Sequence, residues 1–196
     1  MATVAAPTMT AEEFFDWVHL PENAGRCFEL IDGEVVEMPP PSDLHGTICG
    51  LIAHILWNFA FDRNKGRVTT NDSGLVVKRD PDTTRGVDVM FFDEVAVYDE
   101  ISRKYTKELP VLAIEVISPS DTLTKLNKRI SQYLDHGVPL VWVIDPEAKS
   151  VAVHRPTHRL DYLNESDELT GCDVLPDFRC RVADLFLLPG QSKAKP

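Results

Sequence analysis

The most constraining feature of the sequence is a short apolar run at residues 111–117 that ends at Ser118-Pro119. Its β-branched and aliphatic residues follow one another with little polar alternation, which is typical of a strand buried on both faces. Proline ends the run because it has no N–H for a sheet hydrogen bond. One carboxylate, Glu115, interrupts the run. A buried carboxylate is costly unless a cation lies beside it, so the chain must supply a basic partner or hold a metal ion.

The rest of the chain divides into short helices and strands. Thr10 and Glu13 form a capping box that predicts a short helix, and Asp32-Gly33 predicts a type I′ turn inside a hairpin over 27–38. Helices are also expected over about residues 42–64 and 122–136. Strands are expected at 67–70 and 73–78, joined by a turn at Asn71-Asp72, and, after a polar loop at 79–85, at 86–92, 138–144, 150–154 and 159–163, followed by a closing segment at 173–188.

The length and composition fit one globular domain. The 196 residues are 43% hydrophobic, enough to form a core, and we expect the domain over residues 10–188, with flexible tails at 1–9 and 189–196. No stretch reaches the roughly 18 apolar residues of a membrane span, and the N-terminus lacks a secretory signal pattern. The four cysteines stand far apart without a Cys-x-x-Cys pair, which favours reduced thiols in a cytoplasmic protein.

The net charge of −11 limits how the chain can bind nucleic acid. Proteins that bind nucleic acid through their overall electric field are basic. Any contact with nucleic acid must therefore be local, bridged by a metal ion or made by the groove of a dimer, unless there is none.

A second apolar run, at residues 86–92, also carries a single carboxylate, Asp88. If the two strands are neighbours, Asp88 and Glu115 lie about 4–6 Å apart. At an effective dielectric constant near ~20, like charges at ~4 Å repel by about 4 kcal/mol. Either one carboxyl is protonated or a divalent cation lies between them, and carboxylate oxygens suit Mg²⁺ or Mn²⁺. Such an ion activates water and stabilises phosphoryl charge, which favours, although not uniquely, metal-assisted phosphodiester hydrolysis.

The helix after Glu115 carries basic residues on different faces. At 100° per residue, Arg129 lies about a quarter-turn from the centre of the apolar stripe, Lys125 lies further round, and Lys128 lies nearly opposite. Arg129 can therefore reach along the buried side of the helix to orient a water molecule or to meet negative charge. The alternative is a plain ion pair between Glu115 and a neighbouring Arg or Lys, without a metal.

Several segments form a recognisable combination: Glu-Val-Ile-Ser-Pro-Ser at 115–120 and the basic residues after it, Tyr133, Gly-Val-Pro at 137–139, Val-Trp-Val-Ile-Asp-Pro at 141–146, Phe-Glu-Leu-Ile-Asp-Gly-Glu at 28–34, the region from Pro39 to His45, and Leu-Pro-Asp-Phe at 175–178. This combination resembles the putative restriction endonuclease family of the PD-(D/E)XK nuclease superfamily. The similarity covers about residues 10–188.

The resemblance implies an α/β restriction-endonuclease-like core, a central mixed β-sheet flanked by α-helices, here with an extra N-terminal helix and hairpin. It implies that Asp88 takes the motif's Asp position and Glu115 its Asp/Glu position. Glu29 matches the acidic residue that such nucleases draw from an early element, and His45 matches a recurrent family histidine. From the residues alone, a histidine in the first turn of a helix is more often a polar residue near the cap than a catalyst.

Three positions depart from the motif. Val87 stands in place of the proline before the motif Asp, and Ile117 in place of the motif Lys. In this family the Lys is expected on the following helix, and counting back four from Tyr133 reaches Arg129, with Lys128 beside it. An arginine can stabilise an oxyanion, but it does not readily transfer protons.

The sequence leaves three functions open. The first is a Mg²⁺- or Mn²⁺-dependent endonuclease, a homodimer with DNA as the expected substrate. The second is a nuclease-fold module without catalysis that binds a protein partner or its own twin. The third is a small-phosphoester hydrolase that uses His45, Asp88 and Glu115. In the first, the metal ligands are Asp88, Glu115 and Glu29, and the other catalytic candidates are Arg129, Lys128 and His45.

Overall fold

This computed structural model describes residues 8–106, 108–156 and 160–191, which form three α-helices and ten β-strands. The expected tails at 1–9 and 189–196 fall mainly outside them, as does the first residue of the strand expected at 159–163. The helices are α1 (Ala11–Val18), α2 (Asp43–Arg63) and α3 (Leu123–His136). The strands are β1 (Cys27–Ile31), β2 (Glu34–Met38), β3 (Arg67–Lys78), β4 (Thr83–Phe92), β5 (Leu112–Val116), β6 (Val141–Asp145), β7 (Ser150–His154), β8 (Leu160–Leu163), β9 (Glu168–Gly171) and β10 (Leu175–Arg181).

The central sheet is mixed. Its strands run in the order β2-β1-β4-β5-β6-β7-β8, and β3 pairs with β4. β5 and β6 are parallel, with Glu115 beside Val143, and α3 provides the crossover between them, as parallel strands require. The other pairs in this sheet are antiparallel, and β9 and β10 form a separate small sheet. The predicted α/β core with an N-terminal helix and hairpin is confirmed.

Two apolar layers cover the sheet. On one side α2 packs through Ile52 and Leu56 against Ile114 and Trp142. On the other side α3 packs through residues such as Ile130 against Ala113, the neighbour of Ile114 in β5. All five residues of β5 are buried, which explains the continuous apolar run, because alternate side chains enter opposite layers.

Helix α2 is also long and apolar enough to span a membrane. It has 21 residues, most of them apolar, so the expectation of no such segment has one exception. Length and composition alone are weak support for a membrane span, because the core helix of a soluble protein shares them, and α2 contributes Ile48, Ile52 and Leu56 to the core.

The expected turn at Asn71-Asp72 is instead a bulge inside one continuous strand. The pairing register between β3 and β4 shifts between Thr70 and Ser73, and Asn71 and Asp72 have positive φ angles of 66° and 52°. Asn and Asp tolerate this left-handed conformation better than most residues. Bulges re-aim side chains next to functional sites, and this one brings Asp72 against Gly86 of β4.

Gly66 is expected to be intolerant of a side chain. It follows α2 with a φ of 107°, and a Cβ there would lie 2.5 Å from Cζ of the buried Phe91 ring. We expect Gly66→Ala to lower the free energy of unfolding by about 1–3 kcal/mol. The control is Gly50→Ala within α2, where a Cβ meets nothing within 4 Å and where alanine should stabilise by about 0.5–1 kcal/mol. Urea denaturation measures both, and equal stabilities would contradict the packing at Gly66.

Candidate active site

Asp88 and Glu115 lie where β4 and β5 part. The antiparallel pairing of these strands ends at Val89 and Ile114, so Asp88 and Glu115 are the next residue on each strand. The N–H of Val116 donates to Oδ2 of Asp88 at 2.7 Å, and this carboxylate therefore occupies the gap between the strands. The two acidic residues lie on neighbouring strands, and the metal ion that they were expected to share stays a prediction.

Glu115 faces α3. Its Oε1 accepts a hydrogen bond from the Tyr133 hydroxyl at 2.5 Å, and its Oε2 accepts one from the Arg129 guanidinium. Burial raises the pKa of Glu115, whereas the positive charge of Arg129 acts against the rise. The ion pair that the sequence left open is therefore present, and the helical count that selected Arg129 is confirmed.

Glu29 joins Glu115 through Arg129. Its Oε2 accepts from Nη1 of Arg85 at 2.6 Å, its Oε1 accepts from the N–H of Gly86 at 3.2 Å, and Nη2 of Arg129 lies 3.8 Å from Oε1. Two arginines thus balance two glutamates in a buried network that ties β1, β4, β5 and α3 together. Each charge has an opposite neighbour, which offsets part of the cost of burying it.

Asp88 faces α2 instead. Nε2 of His45 donates to Oδ2 of Asp88 at 3.2 Å, and Sγ of Cys49 lies 3.7 Å from Nδ1 of His45. The hydrogen bond to Asp88 is the main cause that raises the pKa of His45 to about 10. Burial, followed by the neighbouring charge of Asp88, raises the pKa of Asp72 to about 6. His45 therefore belongs to a charged cluster and is more than a polar residue near a cap.

Two adjoining cavities open onto this cluster. One, of about 310 Å³, is lined by Glu29, His45, Asp72, Asp88 and Arg129 among others. The other, of about 250 Å³, also reaches His45, Asp72 and Asp88 from the side of α2. The structure therefore brings together four of the predicted site residues, Glu29, His45, Asp88 and Arg129. Glu115, only 1% exposed, lies behind Arg129.

Lys128 lies away from this group. Its Nζ is 3.3 Å from Oδ2 of Asp32, and its side chain is half exposed. Lys78 binds the other oxygen of the same carboxylate at 2.7 Å. Of the two basic candidates, the geometry brings Arg129 to the site, while the catalytic roles of both stay predictions.

Comparison with known proteins places this geometry in a family. Residues 11–183 match the family model of Uma2, described as "Putative restriction endonuclease". The chain belongs to the Uma2 family. The chain is also similar to a crystal structure described as a putative nuclease belonging to DUF820 from Anabaena variabilis ATCC 29413. That similarity has a TM-score of 0.75 and 23% identity, and it covers 91% of this chain and 97% of the other. No curated protein matches the sequence.

The resemblance drawn from the sequence is thus confirmed for the family and the fold. At 23% identity the similarity to the solved structure supports the fold alone. What the Uma2 chain does at its cluster of acidic residues must be argued from the geometry.

Sequence reasoning missed four residues of this Uma2 site. Asp72 was assigned to a turn, although a bulge in a strand explains the same pair of residues. Arg85 was assigned to a polar loop, but β4 begins at Thr83. Tyr133 served only to locate Arg129, and Cys49 was treated as a scattered thiol. The i, i+4 spacing of His45 and Cys49 was the available signal.

The ion pair between His45 and Asp88 predicts a stability that falls at high pH. The pKa of His45 is about 10 in the folded protein, against 6.5 ordinarily. The stabilisation is therefore fully present below pH 6.5 and is lost as the pH rises through about 10. We expect the free energy of unfolding of wild type to be about 2 kcal/mol higher than that of His45→Gln at neutral pH. This difference should vanish above pH 10. Urea denaturation across this range measures it, and a constant difference would contradict the charged pair.

Proposed function

We propose that this Uma2 chain is an endonuclease that uses a divalent metal ion to hydrolyse phosphodiester bonds. The observation that carries the proposal is the position of Asp88. It lies at the gap between two strands of a nuclease-family fold, in a cavity that also exposes Glu29 and Arg129. Acidic groups and a fixed guanidinium at one opening are what phosphoryl hydrolysis needs.

The carboxylates fit a hard divalent cation. Asp72 and Asp88 line the same cavity, and the charge of Asp88 contributes to raising the pKa of Asp72. Among the described residues, the ion pairs of these two carboxylates are limited to the one between Asp88 and His45. A cation would remove the repulsion between the carboxylates. Asp88 would be the anchoring ligand, with Glu29 and Glu115 as the further ligands predicted from the sequence, and Mg²⁺ or Mn²⁺ suits such oxygen ligands.

The metal ion, when bound, supplies an activated water and stabilises charge on the phosphoryl oxygens. The chain's own contribution centres on Arg129, which lines the cavity and holds Glu115. A guanidinium stays charged and binds phosphate oxygens well. Movement of Arg129 toward a phosphate would release Oε2 of Glu115, so that substrate binding completes the set of carboxylates next to Asp88.

Nucleic acid is bound locally under this proposal. The larger cavity is lined by four acidic residues and one arginine, and the net charge is −11. A phosphate backbone is repelled from such a surface unless a metal ion and Arg129 contact it directly. DNA as the substrate, a homodimer and a cytoplasmic location stay predictions.

A cleavage assay tests the proposal. Purified wild type is incubated with single- and double-stranded DNA and RNA, with Mg²⁺ or Mn²⁺ and with EDTA, beside Asp88→Ala and Glu115→Ala. We expect metal-dependent cleavage of at least one substrate by wild type and loss of cleavage in both variants. Absence of cleavage with every substrate, or cleavage that both variants retain, would reject the proposal.

One observation favours a second function, that of a binding module without catalysis. Both oxygens of Glu115 are already occupied, by Arg129 and Tyr133. In that case the network is structural, and the chain binds a protein partner or a second copy. Calorimetric titration with Mn²⁺ separates the two functions. Binding that disappears in Glu115→Gln supports the nuclease, whereas no binding at all supports the module.

A further inference from the structure

We propose that this chain holds a borderline transition-metal ion, of the Zn²⁺ or Co²⁺ class, between α2 and the sheet. The ligands are His45, Cys49 and Asp88, with Asp72 as the fourth. The inference goes beyond the proposed function, because this ion differs in class and in its other ligands from the Mg²⁺ or Mn²⁺ proposed there, and the two sites share Asp88.

The three first ligands have the spacing of a metal site. One donor atom from each of His45, Cys49 and Asp88 lies within 4.8 Å of the other two. The contacts are 3.2 Å between Nε2 of His45 and Oδ2 of Asp88, and 3.7 Å between Sγ of Cys49 and Nδ1 of His45. Tetrahedral Zn²⁺ with bonds of about 2.0–2.3 Å places its ligand atoms about 3.3–3.8 Å apart. The two contacts use opposite ring nitrogens of His45, and an ion binds one of them, so the His45 ring and one partner side chain must rotate to bring the three donors from within 4.8 Å to this spacing.

The local fold holds these ligands in place. His45 and Cys49 are four residues apart in α2, so both project from the same face of the helix. Asp88 is anchored from the other side by the N–H of Val116 at 2.7 Å. Two donors on a helix and one on a strand give a site built on rigid elements.

Asp72 supplies the fourth ligand, and the cavity supplies the room. The cavity of about 250 Å³ is lined by all four donor residues. Asp72 reaches it because the bulge in β3 brings it against Gly86. Gly46 and Gly50 form the wall along α2, and no neighbouring atom lies within 4 Å of a Cβ at either position. An ion can therefore enter from the side of the helix.

The donor types select the class of metal. A thiolate and an imidazole suit Zn²⁺ and Co²⁺, whereas Mg²⁺ prefers oxygen ligands in octahedral geometry. Binding converts the Cys49 thiol to a thiolate and releases its proton, with any proton on His45, to solvent.

The same series of contacts, from a thiol to an imidazole to a carboxylate, also occurs in enzymes that use a cysteine nucleophile. Cys49, however, lies inside α2, where the backbone N–H groups are bonded along the helix and cannot form an oxyanion hole.

Cobalt absorption tests the site without relying on activity. The full chain, kept reduced, is titrated with Co²⁺. We expect the visible bands of tetrahedral Co²⁺ and a near-ultraviolet band from thiolate-to-cobalt charge transfer. Loss of an outer partner of a metal ligand already costs about 10–100-fold in affinity, so Cys49→Ser and His45→Gln should weaken binding at least that much. Cys49→Ser should also abolish the charge-transfer band.

Matched variants make the result specific. Cys27→Ser removes a thiol that lines the larger cavity but not the smaller one, and it should leave the spectrum unchanged. Glu115→Gln should keep the cobalt spectrum but lose cleavage. If wild type binds cobalt but cleaves no substrate, only the proposed function is rejected. Cobalt binding without a charge-transfer band, or a band that survives Cys49→Ser, overturns the inference.

A second measurement uses wild type alone, in case a variant does not fold. Zn²⁺ should protect Cys49 from N-ethylmaleimide, as read from the alkylated peptides by mass spectrometry. Cys27 should be alkylated at the same rate with and without the ion. Equal alkylation of Cys49 in both conditions also overturns the inference.

Discussion

Replacement of Arg129 by methionine is expected to lower the free energy of unfolding by about 3–5 kcal/mol. Arg129 is the cation that contacts Glu115 and also lies 3.8 Å from Glu29. Methionine keeps much of the packing but leaves Glu115, 1% exposed, without its positive partner. A buried carboxylate in that position must be protonated or be exposed by local unfolding. Urea denaturation at neutral pH measures the loss.

The double variant Glu115→Gln with Arg129→Met provides the control. It removes both charges, and we expect it to regain most of the stability, because an ion pair replaced by neutral groups is often close to neutral in energy. Arg26→Met breaks the half-exposed pair with Glu37 and should change the free energy of unfolding little, because solvent screens exposed ion pairs. Equal costs for Arg129→Met and Arg26→Met would show that the buried network is not the source of stability.

Asp88→Asn is expected to lower the cleavage rate by about a thousandfold while leaving the fold intact. The metal ion contributes several kcal/mol to stabilising charge in phosphoryl hydrolysis, and about 4 kcal/mol corresponds to a thousandfold. Asparagine keeps a carbonyl oxygen that can accept the Val116 N–H, which now donates at 2.7 Å. What it loses is the negative charge that anchors the ion and pairs with His45.

The matched control is Asp93→Asn. Asp93 follows β4, the strand that carries Asp88, and is bound by Arg63 at 2.8 Å and Lys65 at 3.0 Å. Loss of the Asp93 carboxylate should change the free energy of unfolding slightly and leave the cleavage rate unchanged. Single-turnover cleavage measures the chemical step, and circular dichroism verifies folding. A rate loss shared by both variants would indicate a general effect of charge rather than a metal ligand.

The sequence predicted the elements of the site more reliably than their orientation. Glu115 and Asp88 were found because a charge stands out within an apolar run, and this rule is local. Arg129 was selected over Lys128 by counting 100° per residue, and the structure agrees, since Lys128 binds Asp32 at the surface. Asp72 was missed because a bulge and a turn favour the same residue types. Its position depends on how β3 pairs with β4, which is a non-local property.

The sequence by itself determined the helices, most of the strands, the family and the residues that carry charge into the core, because periodicity, capping and turn chemistry act over a few neighbouring residues. Only the tertiary structure decided which helix each carboxylate faces: Glu115 binds Arg129 and Tyr133 on α3, whereas Asp88 binds His45 on α2. The reason is that β4 and β5 part after Val89 and Ile114. Where two strands separate depends on pairing between distant segments, and no local pattern encodes it.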